Sequence, residues 1–302
     1  MNPFRYKAYG LVIHSEFEVI GLTEASLDET PDVNFVLGKL NVSPYNLIKG
    51  FLIKEVTSDG FLYGIKDLAS FLISDGKTVV VDPLAKEREL WQMYLLGSVM
   101  GALLQQRGFL TLHGSAFLFN NKAHLILGAS GMGKSSIAMA LHQKGFEFLT
   151  DDICAIKFNE EGVPNLYYGS RHIKLWEDAI ESLDTVQEGM TRVRKNLPKF
   201  RLLLEEGSHQ STHALGHVFV LNITRLKNET VAFTKLNVIE KLQLLNTNVY
   251  RKQFLQDMGL EKDAFHMLSE LANYTEAIVL NRTHARTDVR LVAERIENFL
   301  EK

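Results

Sequence analysis

The chain has 302 residues, of which 46% are hydrophobic and 23% charged, and its net charge is -3. That length supplies a core for one large domain or two, and that balance excludes a global pull toward nucleic acid or anionic membranes, so any anion site must be local. The single cysteine, Cys154, excludes an intrachain disulfide and fits a reducing compartment.

The first residues, "MNPFRYKAYGLVIHSEFEV", show no basic stretch followed by an apolar one, so no secretory signal is expected. The longest apolar run, "MYLLGSVMGALL" at 93–104, is shorter than the roughly 20 residues that span a bilayer. A soluble, cytoplasmic protein with no membrane partner is expected. Residues 1–83 read as a β-rich N-terminal domain. "YKAYGLVIH", "VNFVLGKL", "GFLIKEV", "GFLYGI" and "KTVVV" are short, rich in β-branched and aromatic residues, and separated by turn signals. Asp59-Gly60 and Asp75-Gly76 predict hairpins, because glycine takes the positive φ of such turns.

From Leu84 to Gln106 apolar residues recur at three- and four-residue spacing, which predicts a helix within a connecting segment at 84–110. "LTLHGSAFLF", a turn at Asn120-Asn121 and "KAHLIL" follow as strand, hairpin and strand. Strand-like and helix-like pieces then alternate to the end, and residues 111–302 read as an α/β domain.

That domain opens on a specific motif. "GASGMGKS" at 128–135 satisfies G-x-x-x-x-G-K-[ST]. A strand, "AHLIL", precedes it and a helical run, "KSSIAMALHQKG", follows, the setting such a phosphate loop requires. Glycines let backbone N–H groups converge on an anion. Lys134 can reach the terminal phosphates and Ser135 can offer its hydroxyl to Mg²⁺. The helix contributes its positive end. The residues expected to hold ATP are therefore Gly128, Ser130, Gly131, Met132, Gly133, Lys134, Ser135 and Ser136.

One helix and one strand later, "FEFLTDD" ends in Asp151-Asp152. A strand there delivers carboxylates to the sheet edge that carries the phosphate loop. One acid can help hold Mg²⁺. A second suggests a group that takes the proton of an attacking hydroxyl, as a kinase requires and a nucleotide binder does not. Neighbouring strand residues point to opposite faces, so both serve only if the chain turns there.

Residues 112–156, "LHGSAFLFNNKAHLILGASGMGKSSIAMALHQKGFEFLTDDICAI", resemble the core of the HPr kinase/phosphorylase family. That family has a His-Gly before a hairpin, a P-loop, a short helix, and an Asp-Asp after an apolar strand. The resemblance implies an α/β fold whose P-loop core is of the HPr kinase/PEP carboxykinase-like type, beside a smaller β-rich N-terminal domain. It makes His113 an active-site histidine and Asp151 the base toward an acceptor serine. It makes Asp152 a supporting or metal-associated neighbour that shares the metal with Ser135. Outside this core, "YYGSRHIKLWEDAIESL" replaces the bacterial enzyme's glycine-rich signature, so neither HPr as substrate nor phosphorylase activity is carried over. Residues 1–115 look more like a divergent branch that includes kinases of a serine in lasso-peptide precursors. Relatives of this fold commonly form ring-like assemblies, which makes a homo-oligomer an implied partner state.

Downstream, Arg171 or Lys174 could neutralise charge on a transferring phosphoryl group. "TRVRKNLPKFR" carries Arg192, Arg194, Lys195, Lys199 and Arg201 without an acid, as a phosphate clamp or as a solvated loop. It lacks the aromatic interleaving of a nucleic-acid site. Arg282, His284 and Arg286 could touch nucleotide, and Thr287 or Asp288 could cap the last helix. The leading expectation is an ATP- and Mg²⁺-dependent kinase of a serine or threonine hydroxyl on a peptide or small protein. HPr or a small molecule such as free serine is the alternative acceptor, and a nucleotide-gated peptide-binding module is the non-catalytic alternative.

Overall fold

A computed structural model describes residues 4–26, 28–42, 47–48, 52–185, 190–194, 197–204, 211–224, 231–283 and 288–302. It is a mixed α/β structure with several sheets. The first sheet uses β1 (Phe4–Ala8), β2 (Leu11–Ser15), β3 (Thr23–Glu24), β4 (Val33–Leu37), β5 (Leu47–Ile48), β6 (Leu52–Thr57), β7 (Gly60–Ile65), β8 (Ala69–Ser74) and β9 (Thr78–Pro83). Its order is β3-β1-β2-β4-β9-β8-β7-β6-β5, with β2–β4 and β4–β9 parallel. At Asp75-Gly76 both residues have positive φ, 52° and 62°, and the N–H of Lys77 closes the turn onto the carbonyl of Ser74 at 2.9 Å.

"YKAYGLVIH", expected as one strand, is a hairpin. Tyr9 (φ 55°) and Gly10 (φ 68°) turn the chain between β1 and β2. A tyrosine in the left-handed region carries no local turn signal. It is buried there, its N–H donating to the carbonyl of Tyr168 at 2.7 Å.

The expected helix begins later than Leu84, because the N–H groups of Leu84 and Ala85 bond to the carbonyl of Leu68. It comprises α1 (Arg88–Tyr94), a π-helical turn (Leu95–Val99) and α2 (Met100–Gln106). Leu95, Val99 and Leu103 share one core with Phe71, Ile73, Val79 and Val81 of the first sheet. Tyr250 and Phe254 of the second half join that core.

The second half contains β10 (Leu110–Leu112), β11 (Gly114–Phe119), β12 (Lys122–Leu127), α3 (Lys134–Gln143), β13 (Glu147–Asp151), β14 (Cys154–Phe158) and β15 (Pro164–Tyr167). Then come β16 (His172–Trp176), α4 (Glu177–Ser182), β17 (Thr191–Arg194), β18 (Leu197–Leu203), β19 (Thr212–Ile223) and β20 (Val231–Lys235). The chain ends with α5 (Val238–Thr247), α6 (Lys252–Asp257), α7 (Glu261–Tyr274), β21 (Glu276–Arg282) and α8 (Val289–Leu300).

The main sheet runs β10-β14-β15-β19-β12-β11-β13, with β21 against β19 and β20 against β21. β12, β19 and β21 are parallel. β13 is antiparallel to β11, which is antiparallel to β12, so β13 and β12 run the same way and end at the same edge. Alternating residues face two layers. Ile126 and Phe219 meet Ile137 of α3 and Ile296 of α8. Leu125, Leu127 and Val218 meet Leu245 of α5 and Leu268 of α7. The basic stretch, read as a phosphate clamp or a solvated loop, contributes β17 and β18, which are antiparallel to each other, and β18 pairs with β16 in a separate three-stranded sheet. Among the described residues, no helix is long and apolar enough to cross a membrane.

Candidate active site

β12 stops at Leu127 because Gly128 takes a φ of 145°, a conformation that side chains disfavour. A Cβ there would also lie 3.1 Å from Cβ of Leu221 on β19. Gly131 and Gly133 both have φ of 82°, so the loop curls back and α3 starts at Lys134 without a side-chain cap. The first N–H groups of α3 thus face the loop's concave side, a ready anion site. The Lys134 ammonium donates to the carbonyls of Gly128 at 2.7 Å and Ala129 at 3.2 Å. Burial lowers its proton affinity, against the pull of Asp151 and Asp152.

At the end of β13 the chain turns, and Asp152 has a φ of 78°. That twist removes the obstacle posed by neighbouring strand residues, and both carboxylates line the cleft beside Lys134 and Ser135. Their partners differ. Oδ1 of Asp151 accepts hydrogen bonds from the hydroxyls of Ser115 (2.6 Å) and Ser135 (2.8 Å), and Oδ2 accepts from the backbone N–H of Lys174 (3.1 Å). Asp152 sits 2.9 Å from Nζ of Lys174 and 3.2 Å from Nδ1 of His113. Nδ1 of His113 also lies 3.1 Å from the carbonyl oxygen of Asp152. With two acceptors beside it, that nitrogen carries the proton.

Burial alone would push the Asp152 carboxyl up. Lys174 and His113 overcome it, so the carboxyl titrates well below the usual carboxylate range. Burial opposes the charge of Lys174 as well, and Asp152 outweighs it, so the ammonium is held above its ordinary value.

The cleft has a volume of about 1030 Å³. Of the expected nucleotide residues, Ser130, Gly131, Gly133, Lys134, Ser135 and Ser136 line it. Gly128 and Met132 do not: Gly128 shapes the loop, and Met132 packs against the core beneath α3. The expected division of labour put Asp151 with the acceptor and Asp152 with the metal. In the structure Ser135 bonds to Asp151, and His113 and Lys174 bond to Asp152.

Among the downstream candidates, Lys174 and Lys199 line the cleft and Arg171 does not. Arg192 lies over the ring of Phe200 and Arg201 is buried. Asp288 caps α8, accepting from the N–H of Arg290 at 2.9 Å. Lys195, His284, Arg286, Thr287 and the side chain of Arg194 lie outside the described residues. Sequence reasoning missed Ser115, whose partner lies 36 positions away, and Asn248. The Asn248 side chain accepts from the N–H of Gly128 at 3.0 Å and its carbonyl from the N–H of His113 at 2.7 Å. One residue of the α5 C-terminus thereby ties the histidine to the loop. No local pattern marks such a bridge.

The donor set suits Mg²⁺ carried in with a nucleotide. Among the described residues no group of three or more His, Cys, Asp or Glu side chains could hold a metal. A nucleotide-borne Mg²⁺ takes most of its oxygens from phosphates and water, so Ser135 and one carboxylate suffice.

No family model matches the sequence, and no curated protein matches it. Among solved structures, the Hpr(Ser) kinase/phosphatase from Coxiella burnetii is similar over 63% of this chain and 96% of its own, at 13% identity and a TM-score of 0.34. Likeness at that level assigns no activity to this chain.

Proposed function

We propose that the protein is an ATP-dependent kinase that phosphorylates a serine or threonine hydroxyl on a peptide or small protein. One observation carries the reading: the glycine loop, Lys134 and a Ser135–Asp151 pair share a cleft with a second carboxylate, Asp152, that is bonded to His113 and Lys174 rather than to the loop. A nucleotide gate has no use for that second acid.

In this reading the loop N–H groups and Lys134 hold the phosphates, and Ser135 and Asp151 hold Mg²⁺. Bound Mg²⁺ would neutralise charge on the phosphates. Asp152 accepts the hydrogen bond of the incoming hydroxyl and aims it at the γ-phosphorus. The acceptor O–P bond forms, the bond from γ-phosphorus to the bridging oxygen breaks, ADP departs, and the proton passes to Asp152. A carboxyl of low proton affinity suits an orienting acceptor in a loose transition state, where the proton moves late. His113 and Lys174 fix its rotamer, so catalysis rests on positioning.

The test is incubation with γ-labelled ATP and Mg²⁺ against serine-bearing peptides, HPr and free serine. Label on a serine hydroxyl of a peptide or protein, lost in Asp152→Asn, is expected. Label only on free serine would redirect the acceptor to small molecules. Nucleotide binding with label on none of them would leave a binding module and overturn the proposal.

A further inference from the structure

Arg282, the last residue of β21, is fully buried with a relative exposure of 0%. Its Nη2 donates to the carbonyl of Met132 in the glycine loop. A Cβ on Gly133 would lie 3.7 Å from Nη2 and 3.8 Å from Nη1, so the guanidinium sits directly behind the loop, one residue before α3 begins. Nε and Nη1 have no hydrogen-bond partner among the described residues. Burial lowers its proton affinity, with no acidic group among the described residues acting against it. An arginine nevertheless remains charged in a protein interior.

A buried cation with no counter-ion among the described residues is an expensive feature, and its charge lies directly behind the glycine loop. It adds to the positive end of α3 and to the ammonium of Lys134 on the other side of the same loop. Asp151 and Asp152 cannot relieve it, being bonded to Ser115, Ser135, His113 and Lys174. A polyphosphate in the cradle would supply negative charge one backbone layer away, in a medium where charges interact strongly.

We infer that Arg282 is a positioning residue whose charge, acting through the loop backbone from behind, strengthens polyphosphate binding without touching the ligand. The inference rests on the nucleotide reading of the loop. It also explains why the position holds a cation at all: a residue needed only to fill space there would be apolar. Arg282 is then a site where stability of the empty protein is given up for affinity.

Calorimetric titration of wild type, Arg282→Met and Arg282→Lys with tripolyphosphate and with ADP tests it, alongside thermal melts of each ligand-free protein. Arg282→Met is expected to melt at or above wild type, within about 2 °C, yet to bind tripolyphosphate roughly ten- to a hundredfold more weakly. Arg282→Lys keeps the charge and is expected to stay within about threefold of wild type. Equal affinity in Arg282→Met overturns the inference. So does a methionine variant that fails to fold or melts far below wild type, because the arginine is then a strut. A lysine variant as weak as the methionine variant also overturns it. Should wild type bind neither tripolyphosphate nor ADP, the nucleotide reading itself falls, and the inference with it, an outcome distinct from the other three.

Discussion

Replacing Asp152 by asparagine removes a charge while keeping the shape, and its effects on chemistry and stability separate cleanly. Loss of the group proposed to receive the acceptor proton is expected to slow transfer by about 10²- to 10⁴-fold. Nucleotide affinity should hold or tighten, since Asp152 bonds to His113 and Lys174 and to nothing in the loop. The fold should weaken. Removing one partner of a fully buried pair costs about 3–5 kcal/mol. Here the side chains of Lys174 and Asp152 are 21% and 26% exposed, so solvent screening reduces that to about 2 kcal/mol. In a chain of this size that is about 3 °C in melting temperature. Lys174→Met leaves Asp152 with His113 alone and should cost about 1–2 kcal/mol. In the double variant the losses should not add, and the coupling should recover about 1–2 kcal/mol. Transfer, however, should stay lost. The assays are label transfer, ADP titration and thermal melting of all three variants. Asp152→Asn retaining more than a tenth of wild-type transfer, or strictly additive stabilities, would refute the reasoning.

Lys134→Ala removes the ammonium that closes the loop onto Gly128 and Ala129. ADP affinity should drop roughly ten- to a hundredfold, and an unchanged titration would contradict the phosphate reading. Acid should destabilise the protein below about pH 6.5, the ordinary histidine value. His124 is held down to about 4 by burial, and secondarily by neighbouring His217. His172 is held down to about 3 by burial, then by Arg201, Lys174 and Arg171. Both stay neutral when folded and take protons when unfolded, so stability falls as pH drops from about 6.5, and the loss levels off only as the folded imidazoles protonate. At pH 5 each histidine should cost about 2 kcal/mol. Urea unfolding at pH 7.5 and pH 5 measures it, and stability unchanged between them would contradict the burial argument.

Much of the architecture could be read where a residue type forces a local geometry. Asp75-Gly76 and Asn120-Asn121 both adopt the positive φ their turns require, and the glycines at 128, 131 and 133 do the same in the loop. Readings failed where tertiary contacts outvote local preference. Tyr9 turns the chain because its side chain is buried and its N–H is held by Tyr168. The charge-rich "TRVRKNLPKFR" hides two antiparallel strands, β17 and β18, the second of which pairs with β16. The site divides the same way. The loop and the acid pair are contiguous and legible. The partners that distinguish the acids are not: Ser115 lies 36 positions from Asp151, and Lys174 lies 22 from Asp152.

The location of the metal in a crystal of the protein with Mg²⁺ and ADP tests the central claim most directly. The account predicts phosphates cradled by the loop N–H groups and Mg²⁺ at about 2.0–2.1 Å from the hydroxyl of Ser135. Asp151 should be its carboxylate, directly or through water, while Asp152 stays with His113 and Lys174, facing open space for the hydroxyl. Mg²⁺ bound by Asp152, or phosphates lying away from Lys134, would contradict it.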